Sequence, residues 1–224
     1  MTDSTDAELF GAIADRMASE LALDASGHDI HHAWRVFSLG RRLADKEGAD
    51  GLVVGAAALT HDLHRVVGGD EFVHPRDTLP TVRDILESVD FPTERIEAVC
   101  HCVAVHEEYD FDYGHGDERG ADTIEAAVVQ DADNLDAIGA VGIARAFAYG
   151  GAHDNPMWTA DPSPDWVAWS ADETDGSTLE HLEEKLVHLH ENMNTDTGRR
   201  LAAERHAFLL EFRERFEREW VGEA

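Results

Sequence analysis

The stretch VVGAAALTHD, residues 53–62, is apolar over seven positions and then ends in threonine, histidine and aspartate. A run this apolar predicts a helix that is buried on several sides, here over residues 52–65. His61 and Asp62 form a polar pair at the end of this buried segment, where burial costs free energy unless a partner is present. A metal ion is a partner that suits both groups.

A second helix, predicted over residues 28–47, contributes another histidine to the interior. Its apolar positions recur at helical spacing and so face the core: Val36, Leu39 and Leu43. One turn before Val36 is His32, whereas His31 falls in line with the polar face. His32 is therefore the histidine that is predicted to point inward.

Acidic residues interrupt a third apolar segment. Residues 123–149 predict one long helix, and Asp131, Asp133 and Asp136 lie within it. Buried carboxylates are costly without a cation. A histidine, the histidine–aspartate pair and one of these aspartates would form a compact set of nitrogen and oxygen ligands, with positions left open for water and substrate. Such a set suits a divalent ion, and its spacing does not choose between Mn, Mg, Ni, Co, Fe and Zn.

Helical periodicity also dominates the remaining chain. Helices are predicted over residues 6–22, 78–88, 93–107, 178–192 and 198–220. Residues 109–120 are predicted to form a loop, and residues 152–176, rich in Pro, Trp and Asp, an irregular excursion. No stretch alternates like a strand and no repeat is visible, so the prediction is a single all-α domain over residues 1–224. Its core would span about 20–150, with a helical extension over about 177–221 packing on it.

The chain of 224 residues carries 47 acidic and only 18 basic side chains, a formal net charge of −29. A field of this size repels nucleic-acid backbones and anionic lipids, so extended nucleic acid and membrane surfaces are disfavoured as partners. The acidity is spread along the chain and resembles the surfaces of proteins from salt-adapted organisms. Residues 1–9 carry no basic residue and no apolar segment, which predicts a cytoplasmic protein. Cys100 and Cys102 fit neither a disulfide framework nor a zinc ribbon, and are predicted to pack in the interior.

Three segments together resemble a known signature. They read HDIHHAWRV over residues 28–36, AALTHD over 57–62 and QDADNLDA over 130–137. Their order resembles the H…HD…D pattern of HD-domain metal-dependent phosphohydrolases. Residues 139–147 and 179–205 are similar to a branch of stand-alone bacterial and archaeal HD hydrolases. The resemblance implies an HD-type helical bundle with a metal site in its core, and activity on nucleotides or other small phosphate esters.

The resemblance implies that His32, His61 and Asp62 are metal ligands. The last motif of the family, Ala-Asp-x-Leu, implies Asp133 as the final ligand. A helical wheel instead places Asp131 among apolar neighbours and keeps it as the alternative. The motif is the more specific of the two signals, because a helix buried on several sides makes the wheel a weak guide, and Asp133 is therefore preferred.

The resemblance also implies roles for further residues. His106 lies where this branch has another histidine near the metal, and it would bind phosphate or a second metal. Arg65 stands where many HD proteins have a lysine, which keeps the positive charge but changes its geometry. Neutralising nearby acids is the alternative role for Arg35 and Arg145. The predicted catalytic residues are Asp62, Arg65 and His106, and the predicted substrate-binding residues are Arg35, Arg145 and Lys185.

The function predicted first is a metal-dependent phosphohydrolase that removes phosphate or pyrophosphate from a nucleotide or small phosphate ester. A non-catalytic HD module that binds a nucleotide and signals to a partner is the second hypothesis, although an open metal position favours catalysis. A phosphodiesterase that acts on a cyclic nucleotide is the third. The expected ligand is in each case a small phosphorylated molecule, and an oligomer is compatible with the sequence.

Overall fold

The computed structural model describes residues 4–20, 29–68, 73–108, 120–159 and 176–223, and every regular element in these ranges is helical. The all-α prediction is therefore confirmed. The helices are α1 (Ser4–Glu20), α2 (Ile30–Glu47), α3 (Gly51–Thr60), α4 (Leu63–Gly68), a 3₁₀ turn (Pro75–Thr78), α5 (Leu79–Ser88), α6 (Thr93–Val105), α7 (Ile124–Asp136), α8 (Gly139–Ala152), α9 (Thr178–His181), a π-helical turn (Leu182–Leu186) and α10 (Asp196–Trp220). Most of the predicted loop and of the predicted excursion lies outside the described residues.

Helix α3 is the centre of the fold. It packs against α1, α2, α6 and α7, and its residues from Val53 to Thr60 are all buried. Small residues permit this close packing: a Cβ at Gly55 would lie 2.6 Å from the Phe10 ring of α1. The N-terminus of α3 is capped by Asp50, whose carboxylate accepts the N–H groups of Leu52 and Val53.

Helix α3 ends at Thr60, earlier than the predicted helix over residues 52–65. The Thr60 hydroxyl donates to the Ala56 carbonyl at 2.9 Å, and the His61 ring donates to the Ala58 carbonyl at 2.9 Å. Side chains thus satisfy carbonyls that the end of a helix leaves free. A turn at His61 and Asp62 follows, and α4 begins at Leu63.

The prediction of one long helix over residues 123–149 is wrong. The segment forms α7 and α8, and the chain changes direction at Ala137 and Ile138. Gly139 has φ 76°, in the left-handed region that glycine adopts readily. Apolar periodicity continues through the break, so the pattern alone did not reveal it. The break turns α8 away from α7, and one face of α8 then lines a cavity beside Asp133.

The C-terminal segment packs across α2, α7 and α8 through α10. The predicted helix over residues 178–192 is only partly right, because α9 is followed by the π-helical turn and then by irregular turns. Asp131 holds the start of α10: its carboxylate accepts the backbone N–H groups of Asn194 (2.6 Å) and Thr195 (2.8 Å) and the Thr195 hydroxyl (2.6 Å).

Two smaller observations complete the fold. Cys100 and Cys102 are both buried free thiols, as the packing prediction expects. Among the helices of the described ranges, none has the length and apolar character needed to cross a bilayer.

Candidate metal centre

Four side chains from three parts of the fold converge at one point. His32 comes from α2, His61 and Asp62 from the turn after α3, and Asp133 from α7. His32 Nε2 lies 3.1 Å from His61 Nε2, 3.2 Å from Asp62 Oδ2 and 3.4 Å from Asp133 Oδ1. His61 Nε2 lies 3.6 Å from each of the same two carboxylate oxygens. The four donor atoms therefore form one compact cluster.

The spacing of these atoms fits a single divalent cation. Protein nitrogen and oxygen ligands bind such ions at about 2.1 Å, which separates neighbouring ligand atoms by about 3.0 Å in an octahedron and about 3.4 Å in a tetrahedron. The measured distances run from 3.1 to 3.6 Å, so three lie within this range and the two between His61 and the carboxylates are slightly longer. Two neutral imidazoles and two carboxylates also match the preferences of divalent transition metals.

The two histidines are oriented by hydrogen bonds at their other ring nitrogens. His61 Nδ1 donates to the Ala58 carbonyl, and His32 Nδ1 donates to Asp136 Oδ2 at 2.8 Å. A carbonyl and a carboxylate only accept, so each Nδ1 carries a proton, and Nε2 is the ring nitrogen that faces the cluster and would bind a metal once it has lost its own proton. This is the arrangement in which outer partners fix the tautomer of metal-binding histidines.

Asp136 is the site residue that the sequence identified only as one of three buried acids. Besides His32, it accepts two hydrogen bonds from Arg35, at 2.8 and 3.0 Å, and one from Arg145 at 2.9 Å. Burial alone would raise the pKa of Asp136, but the bonds from His32 and Arg35 outweigh it and lower the pKa to about 2. Its spacing of three residues from Asp133 was the available signal, since that spacing puts both acids on one face of α7.

The cluster attracts positive charge strongly. Burial alone would lower the pKa of His32, but hydrogen bonds with Asp133, Asp136 and Asp62 outweigh it and raise the pKa to about 10. Burial alone would raise the pKa of Asp133. Its hydrogen bonds with His32 and His61 outweigh burial and hold the pKa well below the usual range. These directions show that the surrounding carboxylates stabilise a cation at this point.

A second group of polar residues lies behind His61. His106 is buried, its ring centroid is 5.0 Å from that of His61, and its Nδ1 donates to the Val103 carbonyl at 2.7 Å. Its Nε2 has no hydrogen-bond partner within the described ranges, and burial lowers its pKa to about 4. One donor atom each from His61, Asp62 and His106 lies within 4.8 Å of the others.

His64 and Glu107 adjoin this group and were missed in the sequence. His64 Nε2 lies 3.1 Å from Glu107 Oε2, and Arg65 contacts both Glu107 and Asp62, the latter at 3.1 Å. Burial would raise the pKa of Glu107, but the Arg65 charge and the His64 hydrogen bond hold it well below the usual range. The signal for His64 was its spacing of three residues from His61.

A cavity of about 370 Å³ opens beside the cluster, and Asp133 is one of its lining residues. Three predicted cationic residues line the same cavity: Arg65, Arg145 and Lys185. Burial lowers the pKa of Lys185, against a smaller raising effect of nearby Glu107. Among the described residues that line the cavity Arg35 is absent, and its guanidinium binds Asp136.

The structure separates the two candidates for the last ligand in space. Asp133 contacts His32 and His61, whereas Asp131 is fully buried against Asn194 and Thr195. Burial raises the pKa of Asp131, and bonds from neutral N–H and O–H groups offset this only in part.

Comparison with known proteins shows that this chain shares its fold with HD-domain proteins. The family model described as "HD domain" matches residues 29–138. The uncharacterized protein YpgQ of Bacillus subtilis is 38% identical over 204 residues, which cover 91% of this chain and 90% of that protein. The crystal structure of YpgQ in complex with ADP superposes with a TM-score of 0.71 at 32% identity, covering 96% of each chain. The structure of an HD-superfamily hydrolase from Bacillus thuringiensis gives a TM-score of 0.69 at 32% identity, over 97% of this chain and 99% of that chain.

Proposed function

Because the chain belongs to the HD-domain family, we propose that it is a metal-dependent phosphohydrolase that removes phosphate or pyrophosphate from a nucleotide. The observation that carries this proposal is the convergence of His32, His61, Asp62 and Asp133, whose donor atoms lie 3.1 to 3.6 Å from one of the two histidine Nε2 atoms, beside a cavity whose lining includes three cationic side chains. The ADP complex of the related YpgQ supports a nucleotide as the ligand class.

One divalent cation would be held by His32, His61, Asp62 and Asp133. The donor distances of 3.1 to 3.6 Å and the inward-facing Nε2 atoms of both histidines support this ligand set. When bound, such a cation supplies a Lewis acid for a phosphoryl oxygen and lowers the pKa of a bound water. Asp136 would act as the positioning residue of His32, and Arg35 as a neighbour that neutralises Asp136.

His106 would act as a hydrogen-bond acceptor that orients a water molecule. Its lowered pKa keeps the ring neutral near pH 7, and its Nδ1–H is already given to the Val103 carbonyl. The remaining Nε2 therefore has a lone pair and no proton to donate to a phosphate oxygen. An acceptor role toward the attacking water, assisted by the nearby Asp62, is the role that this tautomer allows.

The charge of the substrate would be met by Arg145, Lys185 and Arg65. All three line the cavity, and Arg145 and Arg65 are held by Asp136 and Asp62, which are themselves part of the cluster or bound to it. Cations fixed in this way can stabilise charge on a phosphoryl group without reorganising during the reaction.

The test is a hydrolysis screen with purified protein loaded in turn with Mn, Mg, Ni, Co, Fe or Zn. Nucleoside mono-, di- and triphosphates, cyclic nucleotides and simple phosphate esters are supplied, and released phosphate and pyrophosphate are measured separately. We expect release from at least one nucleotide, loss of release in His61→Ala by at least about a hundredfold, and unchanged release in His190→Ala, a histidine of the C-terminal segment.

Three outcomes would contradict the proposal. Bound metal without phosphate or pyrophosphate release from any compound would reject hydrolysis. Tight nucleotide binding that survives in His61→Ala, with no turnover by either protein, would instead identify a binding module. Cleavage confined to cyclic nucleotides would identify a phosphodiesterase.

A further inference from the structure

One face of α8 forms a continuous wall of the cavity. The residues that α8 contributes to the lining are spaced by one, three and four positions: Gly142, Arg145, Ala146, Tyr149 and Gly150. This spacing puts them on a single helix face. At a rise of about 1.5 Å per residue, Tyr149 lies about 6 Å farther along the axis than Arg145. The wall therefore runs from a cation near the metal cluster to an aromatic ring at the other end.

The wall opposite α8 is arranged in the same direction, with its cation at the inner end and a neutral group at the outer end. Thr178 belongs to its outer end, because a Cβ at Gly150 would lie 2.2 Å from the Thr178 hydroxyl, and the Thr178 N–H donates to the Pro156 carbonyl at 2.9 Å. Lys185 belongs to its inner end, where burial lowers its pKa and the charges of Glu107, Arg65 and Asp133 also act on it. Both walls thus place their cation toward the metal cluster.

The outer end of the cavity lacks cationic lining within the described residues and is unsuited to phosphate. Its lining includes Tyr149, Asn155, Thr178 and Glu180, which offer an aromatic ring, neutral hydrogen-bonding groups and a carboxylate. A ligand that fits both ends has an anionic head and an uncharged body with a flat ring. A nucleotide has this form, whereas inorganic pyrophosphate has only the head.

The Tyr149 ring is partly exposed and is supported from one side by a neighbouring ring. It is 42% exposed, and its ring stacks on His153 with centroids 4.0 Å apart and planes inclined by 21°. His153 is itself held by a hydrogen bond of 2.9 Å from its Nδ1 to the Tyr149 carbonyl. A supported, partly exposed ring loses little conformational freedom when a base stacks on it.

We infer that the outer half of this cavity is a nucleoside subsite and that Tyr149 determines specificity by stacking on the base. The inference rests on the proposed function for the class of ligand. Stacking of a base on an aromatic side chain changes affinity by roughly tenfold or more. Tyr149 therefore separates nucleotides from phosphate compounds that lack a base.

The experiment compares two non-hydrolysable ligands with and without a nucleoside, α,β-methylene-ADP and methylenediphosphonate, by calorimetry on the Mn-loaded protein. We expect the nucleoside to tighten binding by about tenfold or more in the wild type. Tyr149→Ala should remove most of this gain and leave the affinity for methylenediphosphonate within about twofold, while Tyr149→Phe should keep the gain. Phe208→Ala, which removes an aromatic residue of α10 that is 45% exposed, is the matched control.

The inference is overturned if the wild type binds both ligands equally, if Tyr149→Ala leaves the gain unchanged, or if it weakens both ligands in parallel. Because no turnover is measured, the result is independent of the hydrolysis screen. A nucleoside gain that depends on Tyr149 in a protein that releases no phosphate would reject the hydrolase and keep the subsite. Hydrolysis without a nucleoside gain would keep the hydrolase and reject the subsite.

Discussion

At the scale of single residues, Asp136 links the cluster of donor atoms to the cavity. Its two carboxylate oxygens bind His32 on one side and the guanidinium groups of Arg35 and Arg145 on the others. It therefore orients a predicted ligand and holds a cavity-lining cation at the same time. In the proposed function, a residue with this position would affect both metal affinity and substrate binding, although it would contact neither.

Asp136→Asn tests this link. The amide keeps the shape of the side chain but loses the charge that fixes His32 Nδ1–H, so we expect affinity for Mn to fall by about 10- to 100-fold. Isothermal titration calorimetry measures it. Asp45→Asn, which changes a side chain that is 80% exposed, is the control and should leave the affinity unchanged. Equal losses in both variants would show that the effect is one of net charge.

The pKa of His32 makes a prediction about pH. In the metal-free protein the ring holds a proton up to a pKa of about 10, and a metal must displace that proton. Lower pH favours the proton, so the apparent metal affinity should fall as pH decreases, by up to about tenfold per unit for each proton released. Calorimetry between pH 8 and 6, in two buffers of different ionisation enthalpy, measures both affinity and proton release. Constant affinity without proton release would contradict the assignment of His32.

At the scale of elements, α7 connects the cluster of donor atoms to the C-terminal segment, and it uses two of its faces to do so. Asp133 faces the cluster, while Asp131 and Gln130 bind the segment before α10. Asn194 donates to Gln130 Oε1 at 2.7 Å, and Gln130 donates in turn to the Glu108 carbonyl at 2.6 Å. The C-terminal segment is therefore tied through α7 to the chain just beyond α6.

Gly198→Ala tests this connection. A Cβ at Gly198 would lie 2.1 Å from Asp131 Oδ2, and the Asp131 carboxylate is fixed by its bonds to Asn194 and Thr195. We expect the free energy of unfolding to fall by about 2 kcal/mol, as in other overpacked interiors, which a urea titration measures. Gly11→Ala is the control, because a Cβ there meets nothing within 4 Å. Its effect should be stabilising, by about 0.5 to 1 kcal/mol, and two changes of the same sign would count against the connection.

At the scale of the whole molecule, the charge of −29 coexists with a cavity whose lining includes three cationic side chains beside four carboxylates. The field of the surface opposes an anionic substrate at a distance, whereas Arg65, Arg145, Lys185 and a bound metal would reverse the sign locally. The acidity is thus a property of the surface as a whole. The excess of negative charge destabilises the folded state through self-repulsion, and salt weakens this repulsion by screening.

The melting temperature should therefore rise with salt, as expected for a salt-adapted protein. Screening shortens the reach of charge from about 10 Å at 0.1 M to about 3 Å at 1 M, so calorimetric scans from 0.1 to 2 M KCl should show a steady increase. Sucrose at the same osmolality does not screen charge and is the control. A melting temperature that falls with KCl, or that rises no more than in sucrose, would contradict a salt-adapted surface.

Much of the fold could be predicted from the sequence because helices form from local periodicity. The spacing of Val36, Leu39 and Leu43 marks the inner face of α2, and His32, one turn earlier, is indeed buried. Breaks were harder to predict, because an apolar pattern can continue through a turn. The pattern across Gly139 stays helical while its backbone, at φ 76°, does not.

The sequence by itself determined an all-helical chain, an inward His32, the His61-Asp62 pair at the end of a buried helix, and a group of acids on α7. The family motif favoured Asp133 as the last ligand, but only the tertiary structure decided the partners of each acid: the two histidines for Asp133, His32 and two arginines for Asp136, and the start of α10 for Asp131. The physical reason is that periodicity depends on neighbours along the chain. The partner of a buried carboxylate depends instead on helices distant in sequence, whose packing brings the donors within hydrogen-bond distance.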